Sequence, residues 1–296
     1  MKHFHCLLFL MVFLGCSAQP RPQSQKSLTV TDDLGRAVSL DVAPSRIISF
    51  APSITEMVYA LGGEDRLAGV TSWCNWPPRA KEKTAVGDMM SPNFERMVSL
   101  KPQLAIMIGS RPGPLLKKFE ALDIPVICFK DETVADIQRA VKVLGLLLER
   151  PAKADSMIKE IDSQLTAIKA AVDSVPLNER PKVFAELGSS PLFAAGDSSF
   201  IGQMIVLAGG INVTGDIGSS YAAVNSELVV KNDPDIIIVL HPQADKKQIE
   251  QRVGWQNVSA VKSGRIYPGL DQDVILRPGP RFIEGLKILH GIFYAP

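Results

Sequence analysis

The longest regular pattern of apolar and polar positions runs from Pro151 to Pro176. Apolar residues recur in it at spacings of four and three, which is the period of a helix that buries one face. These residues are Ala154, Ile158, Ile161, Leu165, Ile168 and Val172. Proline is tolerated in the first turn of a helix but not in its interior, so the two prolines limit the helix. The pattern predicts one long helix over residues 151–176.

Short apolar segments alternate with amphipathic segments on both sides of this helix. The predicted buried strands are 46–50, 67–71, 104–108 and 124–129 before it, and 182–187, 236–240 and 265–267 after it. Strands that alternate with helices at this pitch indicate a parallel sheet covered by helices. Residues 28–40 alternate on both sides of Asp32-Asp33-Leu34-Gly35, which predicts a hairpin.

An internal repeat relates the two flanking regions. The segment Asn93-Phe94-Glu95-Arg96-Met97-Val98, with a proline and an apolar strand after it, matches Asn225-Ser226-Glu227-Leu228-Val229-Val230 at a constant offset. We therefore expect an α/β fold with two pseudo-symmetric lobes, 27–150 and 177–296, that have mainly parallel sheets and are joined by the single long helix. The repeat also places one glutamate, Glu95 or Glu227, near the start of a matched helix in each lobe. Either glutamate alone is explained by the helix dipole, whereas the pair also suits a partner with one basic socket per lobe.

The first residues have the pattern of an export signal. Lys2 precedes an apolar run, residues 6–14, that is too short to span a bilayer as a stable helix. The junction Phe13-Leu14-Gly15-Cys16 resembles a bacterial lipobox, so we expect residues 1–15 to be removed and Cys16 to be lipidated. Cleavage after Ala18 is the alternative. Residues 16–26 are polar and contain proline, which predicts a flexible tether.

Composition excludes several classes of function. The formal net charge is +1 and no basic run is interleaved with aromatic residues, so we expect no nucleic-acid partner. After loss of the leader only His241 and His290 remain, which argues against a multi-histidine metal site. No nucleophile elbow, metalloprotease or phosphate-loop motif is present, and we expect no catalysis. Cys74 and Cys128 are left either as a disulfide or as two buried free thiols, and the sequence leaves both options open.

Candidate ligand-binding residues lie in the loops that follow the predicted strands, because open parallel sheets bind ligands outside their carboxyl ends. They are Ser53, Trp73, Cys74, Trp76, Arg111, Phe193, Tyr221, His241, Asp273 and Arg277. Aromatic residues, prolines and isolated polar groups suit a large, planar, partly apolar ligand better than a bare ion. Ser53-Ile54-Thr55-Glu56 also matches a capping box, and this structural role is our prediction for Ser53 and Glu56.

Several motifs together resemble the helical-backbone class of substrate-binding proteins of ABC transporters. They are TVTDDLGRAV, RIISFAPSITEMVYALG, the Trp76-Pro77-Pro78 loop and FERMVSLKPQLAI, and the resemblance extends from about Leu28 to the end of the chain. This class includes carriers of vitamin B12, iron siderophores and haem. It implies two α/β lobes joined by one helix, with the ligand held between them.

The resemblance also implies roles for particular residues. Glu95 and Glu227 fall where the class has the glutamates that dock on arginines of the permease. Trp73 and Tyr221 fall at positions whose aromatic side chains contact the corrin in the B12-binding member, although the class has tryptophan at the second position. Asp88 stands where a further tryptophan is expected. For Cys74, ligation of cobalt or iron is weighed against a packed thiol, which we favour.

We therefore expect a monomeric lipoprotein that is exported to the periplasm and anchored in a membrane through Cys16. It would need no cofactor, capture cobalamin or a related corrinoid, and present this ligand to the permease and ATPase of an ABC importer. The second hypothesis is a ferric siderophore or haem, for which Arg111, Arg277 and His241 would supply carboxylate recognition or iron ligation. The third hypothesis is a periplasmic chelatase-like enzyme on the same fold.

Overall fold

The structure, a computed structural model, describes residues 27–109, 113–242 and 245–295. The predicted leader, tether and lipidated Cys16 lie outside this part of the chain. Among the described helices, none has the length and apolar character needed to cross a membrane.

The N-terminal lobe contains a small hairpin, a four-stranded sheet and four helices. Its elements are β1 (Leu28–Thr31), β2 (Ala37–Leu40), β3 (Ile47–Ser49), α1 (Pro52–Ala60), β4 (Leu67–Val70), α2 (Phe94–Ser99), β5 (Leu104–Ile108), α3 (Gly113–Glu120), β6 (Val126–Phe129) and α4 (Val134–Leu147). The sheet has the order β4-β3-β5-β6 and all of its pairs are parallel. The β1–β2 hairpin is confirmed, with Leu28 opposite Leu40.

The C-terminal lobe contains a larger, mixed sheet. Its elements are β7 (Lys182–Ser189), β8 (Leu192–Ala195), α6 (Phe200–Leu207), β9 (Ile211–Asn212), β10 (Tyr221–Ala223), α7 (Ser226–Asn232), β11 (Ile236–Val239), α8 (Lys246–Glu250), α9 (Ser259–Lys262), β12 (Ile266–Tyr267), α10 (Gln272–Ile275) and α11 (Phe282–Phe293). The order is β10-β8-β7-β11-β12, and β9 also pairs with β7. Strands β11 and β12 are parallel to β7, as predicted. The sequence pattern did not indicate β9, which pairs with β7 in parallel, or β8 and β10, which form the antiparallel pairs β7–β8 and β8–β10.

The predicted long helix is confirmed as α5 (Pro151–Asp173), which connects the two lobes. Ala154 at its start packs against α4 of the N-terminal lobe, where its Cβ lies only 2.4 Å from the position a Cβ on Gly145 would occupy. Val172 near its end lies beside Gly209 of the C-terminal lobe. The stripe residues Ala154, Ile161, Ile168 and Val172 are buried in one core cluster that includes side chains of both lobes. The helix therefore packs against both lobes rather than spanning solvent between them.

Helices cover both faces of each sheet. The cluster that contains α5 fills the inner faces, while separate clusters lie under α2 and α3 in the first lobe and under α7, α8 and α9 in the second. Strands such as Ile236–Val239 are buried on both faces, which explains their unbroken apolar sequence. The helices do not cover the carboxyl ends of the parallel strands, and the polar loops of the two lobes meet there.

Candidate functional site

The two lobes meet at both edges of the first sheet. At the β4 edge, the loop Trp73–Pro78, here called the aromatic loop, contacts residues 273–281 of the C-terminal lobe. At the β6 edge, the Gln203 side chain donates to the Glu132 carbonyl at 3.1 Å. Strands β4 and β6 are three strand spacings apart, roughly 14 Å. The carboxyl ends of β3 and β5 lie between these two contacts and form the floor of the cleft.

Glu56 joins the lobes through a buried carboxylate. Its oxygens accept hydrogen bonds from Arg277 Nη1 at 2.9 Å and from Arg281 Nε and Nη2, both at 3.0 Å. The Glu56 side chain is only 1% exposed, and both arginines belong to the C-terminal lobe. Hydrogen bonding to Glu56 raises the pKa of Arg281 above its ordinary value. A buried carboxylate with two arginines fixes the distance between the elements that carry them.

The predicted capping box at the start of α1 is wrong. The residue that precedes the helix is Ala51, with no side-chain cap, and Pro52 starts the helix one residue before Ser53. Ser53 is buried, and its Oγ has no hydrogen-bond partner. Gly279 of the C-terminal lobe lies against it, with 3.3 Å between the Ser53 Cβ and the position of a Cβ on Gly279. Because proline is favoured at the first helical position, the helix starts at Pro52, and the Glu56 carboxylate accepts hydrogen bonds from the two arginines rather than from a helix cap.

The aromatic loop is bonded to the C-terminal lobe through Arg277. Arg277 Nη1 donates to Asn75 Oδ1 at 2.7 Å, and Nη2 donates to the Trp73 carbonyl at 3.3 Å. Asn75 Nδ2 donates in turn to Asp273 Oδ2 at 2.6 Å, and Asp273 pairs with Arg277 at 2.7 Å. The predicted ligand-binding residues Asp273 and Arg277 thus come together at the cleft, where they hold the loop. Direct contact of either residue with a ligand stays a prediction.

Two indole rings on this loop are exposed. Trp73 is 66% exposed and Trp76 is 45% exposed, while the Arg281 guanidinium lies 4.7 Å from the Trp76 ring centroid. An arginine over an aromatic face restrains the ring and lowers the cost of holding it in one orientation. Large apolar rings exposed on a restrained loop have the character of the ligand-binding surface that the sequence predicts, and their contact with a ligand stays a prediction.

Asp88 stabilises the turn that follows it, in the loop next to Trp73. Its carboxylate accepts hydrogen bonds from the backbone N–H groups of Met90 and Ser91, both at 2.8 Å. The bonds from Ser91 and Met90 lower the pKa of Asp88, and the Trp73 and Ser72 side chains lower it by less. The residue that stands where the related class has tryptophan therefore shapes the loop beside Trp73.

Cys74 lies inside the lobe. Its thiol is 3.1 Å from both Thr55 Oγ1 and Thr71 Oγ1, and the residue is buried. This placement agrees with the packed thiol that we favour, because the sulfur is enclosed by the hydroxyls of its own lobe, and a ligand role for Cys74 stays a prediction. Cys74 and Cys128 are both free, so the alternative of two buried thiols holds. Burial raises the pKa of Cys128 to about 11, which keeps that sulfur protonated.

At the β6 edge of the cleft, Tyr221 lies within range of the charge of Asp131. Tyr221 lies in β10 and is 43% exposed, and its pKa is raised first by burial of the hydroxyl and then by the charge of Asp131. Burial, with smaller contributions from Glu132 and Asp136, raises the pKa of Asp131 from 3.8 to about 6. Asp131 is a cleft residue that the sequence analysis missed, although its position just after a strand end was a usable signal.

Phe193 and His241 lie deeper in the C-terminal lobe than predicted. Phe193 belongs to strand β8, opposite Ala223, and not to a loop. His241 Nε2 lies 2.9 Å from Glu186 Oε1, and Glu186, which is fully buried, also accepts two hydrogen bonds from Arg252 at 2.6 and 2.7 Å. The His241 side chain is 11% exposed, so its role toward a ligand stays a prediction.

The two repeated glutamates occupy equivalent and exposed positions. Glu95 lies in the first turn of α2, where Asn93 Oδ1 accepts from Arg96 N–H at 2.9 Å. Glu227 lies in the first turn of α7, where Asn225 Oδ1 accepts from Leu228 N–H at 2.8 Å. Matched asparagine caps give both side chains the same local geometry. Their role in docking stays a prediction.

Arg111, another predicted ligand-binding residue, lies outside the described residues. Within residues 27–109, 113–242 and 245–295, no group of three or more histidine, cysteine, aspartate or glutamate side chains is placed to hold a metal ion. The described part of the cleft thus offers aromatic rings, paired arginines and carboxylates.

These features define a two-lobed solute-binding protein with a rigid connecting helix. A model of the family described as periplasmic binding protein matches residues 47–272. The chain belongs to this family.

Relatives and solved structures are consistent with the family. The chain is 29% identical to an uncharacterized ABC transporter substrate-binding lipoprotein, YvrC, of Bacillus subtilis, over 97% of this chain and 95% of that protein. It is 28% identical to a vitamin B12-binding protein of Pectobacterium atrosepticum, over 81% of this chain and 85% of the relative. It is also similar to the crystal structure of a possible iron-binding protein of Staphylococcus epidermidis, with 30% identity, a TM-score of 0.74, and coverage of 85% and 99% of the two chains.

Proposed function

We propose that this protein captures cobalamin or a related corrinoid in the cleft and delivers it to an ABC importer. The observation that carries the proposal is the pair of exposed indoles, Trp73 and Trp76, on a loop that both lobes hold. Tyr221 adds a third aromatic side chain at the opposite edge of the cleft. Aromatic faces at both edges suit a planar macrocycle, because stacking rewards extended flat ligands. The vitamin B12-binding relative supports the same ligand class.

The broader class does not depend on the ligand. The chain is an ABC-transporter substrate-binding protein of the vitamin B12, siderophore and haem type, it acts outside the cytoplasm, and it works with a permease and an ATPase. In the proposed function it performs no chemical reaction, and its work is binding, modest closure of the lobes and docking. The long contact of α5 with both lobes favours small closure, which small-angle scattering with and without ligand measures.

A ferric siderophore or haem is the second candidate. It is favoured by the structural relative described as possibly iron-binding and by His241 at the carboxyl end of β11. The pairing of Arg277 with Glu56 and Asp273 speaks against it, because this arginine is already engaged and would have to release them to bind a ligand carboxylate.

A titration distinguishes the two ligands. Purified protein is titrated by calorimetry with cyanocobalamin, cobinamide, haem and a ferric hydroxamate. We expect submicromolar binding of a corrinoid, and Trp73→Ala to weaken it by about two- to tenfold, since one aromatic contact contributes about 0.5–1.5 kcal/mol. Leu177→Ala, at an exposed apolar residue outside the cleft, is the matched control and leaves affinity unchanged. Tight binding of an iron chelate alone would reject the corrinoid.

The docking role of Glu95 and Glu227 has its own test. Uptake of radiolabelled cyanocobalamin is measured in cells that carry the double variant Glu95→Ala with Glu227→Ala. We expect uptake to be lost while the affinity of the purified protein for its ligand is retained, because both side chains are exposed to solvent and neither belongs to the aromatic loop. The exposed pair Glu160→Ala with Glu179→Ala is the control. Loss of ligand affinity in the first variant would place these glutamates in the binding site instead.

The lipid anchor is a separate part of the proposal. Cys16 lies outside the described residues, and the support comes from its lipobox-like context and the lipoprotein relative. Radioactive palmitate should label the protein in cells and should fail to label Cys16→Ala. Label on the variant would favour another form of attachment.

A further inference from the structure

The aromatic loop is held by the opposite lobe as much as by its own. Within the N-terminal lobe, the Cys74 N–H donates to the Thr71 carbonyl at 3.1 Å and the Cys74 thiol is enclosed by hydroxyls. These contacts fix the middle of the loop. The Trp73 carbonyl, the Asn75 amide and the Trp76 ring are all contacted by arginines of the C-terminal lobe.

The same two arginines bind the buried Glu56. Arg277 divides its donors among Glu56, Asn75 and the Trp73 carbonyl, and it also pairs with Asp273. Arg281 makes two hydrogen bonds to Glu56 and lies against the Trp76 ring. The hydrogen bonds of the Glu56 carboxylate go to the arginines and not to either indole, so we expect its influence on the indoles to pass through the arginines. The planar guanidinium groups transmit orientation well, because their donors lie in a fixed fork.

We propose that Arg277 and Arg281 are positioning residues for the Trp73 and Trp76 indoles, and that Glu56 acts on the indoles through these arginines. The orientation of the predicted ligand-contacting rings then depends on the contact between the lobes. A rotation of the lobes that separates Glu56 from the arginines also withdraws the donors from the aromatic loop. A ligand that binds the restrained rings therefore favours the engaged arrangement of the lobes.

This coupling is testable without any ligand, because the chain holds three tryptophans. Trp73 and Trp76 lie in the aromatic loop, whereas Trp255 is fully buried in the C-terminal lobe and serves as an internal reference. The protein is labelled with 5-fluorotryptophan, and the three 19F resonances are assigned with Trp73→Phe, Trp76→Phe and Trp255→Phe. Glu56→Gln should shift or broaden the Trp73 and Trp76 resonances and leave Trp255 in place.

A matched pair of arginine variants sharpens the test. Arg281 lies 4.7 Å from the Trp76 ring, and Arg252 lies at the same distance from the Trp255 ring. Arg281→Lys should move the Trp76 resonance and leave Trp255 unchanged, while Arg252→Lys should do the reverse. If Glu56→Gln does not fold, Asn75→Ala replaces it in the test. This variant removes an acceptor of Arg277 without leaving a charge unpaired, and it should shift the Trp73 resonance.

The positioning role of the arginines can be tested without a ligand, and only the expected effect on ligand affinity rests on the proposed function. The possible outcomes therefore distinguish the two proposals. Shifted loop resonances in Glu56→Gln, together with corrinoid affinity lowered by about tenfold, support both. Shifted loop resonances in a protein that binds no corrinoid support the positioning role and reject the proposed ligand. Loop resonances in Glu56→Gln that coincide with those of the unaltered protein would overturn the positioning role, as would equal shifts of all three tryptophans.

Discussion

The two lobes use similar chemistry at two buried glutamates. Glu56 in the N-terminal lobe and Glu186 in the C-terminal lobe both accept at least two arginine hydrogen bonds, and in each case an arginine also lies 4.7 Å from a tryptophan ring. The origin of the arginines differs. Arg252 comes from the lobe of Glu186, whereas Arg277 and Arg281 come from the opposite lobe to Glu56. One arrangement builds the core of a lobe, and the other joins two lobes beside the cleft.

The tryptophans differ in the same way. Trp255 is fully buried and donates to Ser226 Oγ at 2.5 Å, so its arginine completes a packed interior. Trp76 remains 45% exposed under its arginine. A glutamate, an arginine and a tryptophan in contact therefore do not by themselves indicate a binding site. What distinguishes the site is that the network crosses the lobe boundary and leaves the ring accessible.

The largest expected effect is a loss of stability in the C-terminal lobe. Glu186→Gln removes a fully buried negative charge and leaves the partly buried Arg252 without its charged partner. We expect the free energy of unfolding to fall by about 3 kcal/mol. Urea denaturation measures this loss, and hydrogen exchange should locate it in β7 and β11. The exposed Glu179→Gln is the control and should change stability by less than about 0.5 kcal/mol. A loss spread equally over both lobes would contradict the assignment of this network to one lobe.

Asp131 extends the comparison to a partly buried carboxylate that lies among other carboxylates rather than beside arginines. Its pKa is raised from 3.8 to about 6 by burial and by the charges of Glu132 and Asp136, so the folded protein holds the proton more tightly than the unfolded chain. Stability should therefore fall as the pH rises from about 4 to about 6 and stay level above that window.

Asp131→Asn should remove this dependence and raise the free energy of unfolding at pH 7 by about 2 kcal/mol. The value allows for partial exposure, because a shift of one pKa unit corresponds to about 1.4 kcal/mol before solvent screening. Urea denaturation of both proteins at pH 4 and pH 7 tests the prediction. A variant that is less stable at pH 7 and equally pH-dependent would show that Asp131 is ionised at no cost.

The smallest effect concerns Ser53, for which the two interpretations of the start of α1 predict opposite changes in the stability of Ser53→Ala. If Ser53 capped the helix, Ser53→Ala would cost about 1 kcal/mol. In the structure its Oγ is buried without a partner, so we expect Ser53→Ala to stabilise the protein by up to about 1 kcal/mol. Thermal unfolding followed by circular dichroism distinguishes the two results. Thr133→Ala, which removes a true capping box at α4, is the destabilising control.

Much of the architecture could be predicted because its signals are local. The period of the apolar stripe gave α5, and each predicted strand is present with its ends within about two residues. The repeat predicts Glu95 and Glu227 in the first turns of equivalent helices, and both helices are present. Strands β8 and β10 were missed because they are short and lie in a segment rich in glycine and serine, where the apolar alternation is weak.

The partner of Glu56 could not be predicted in the same way. A glutamate three residues after a serine is the signature of a capping box, and only Pro52, a residue type favoured at the first helical position, spoke against it. Its arginines lie more than 200 residues further along the chain and approach it only when both lobes are folded. The residues of the cleft were found by their position after strands, whereas the bonds among them depend on tertiary structure. For the same reason the sequence predicts Asp273 and Arg277 at the cleft but not their hydrogen bonds to the aromatic loop.

The two free thiols have a practical consequence for work with this protein. Since Cys74 and Cys128 are buried and unpaired, folding of the described part requires no oxidising compartment. A chain that starts at Ser17 should therefore be obtainable in folded form from the reducing cytoplasm of an expression host. Neither thiol is exposed to react quickly, so two cysteines introduced on the surface, one on each lobe, should accept dyes that report the distance between the lobes without removal of the native cysteines.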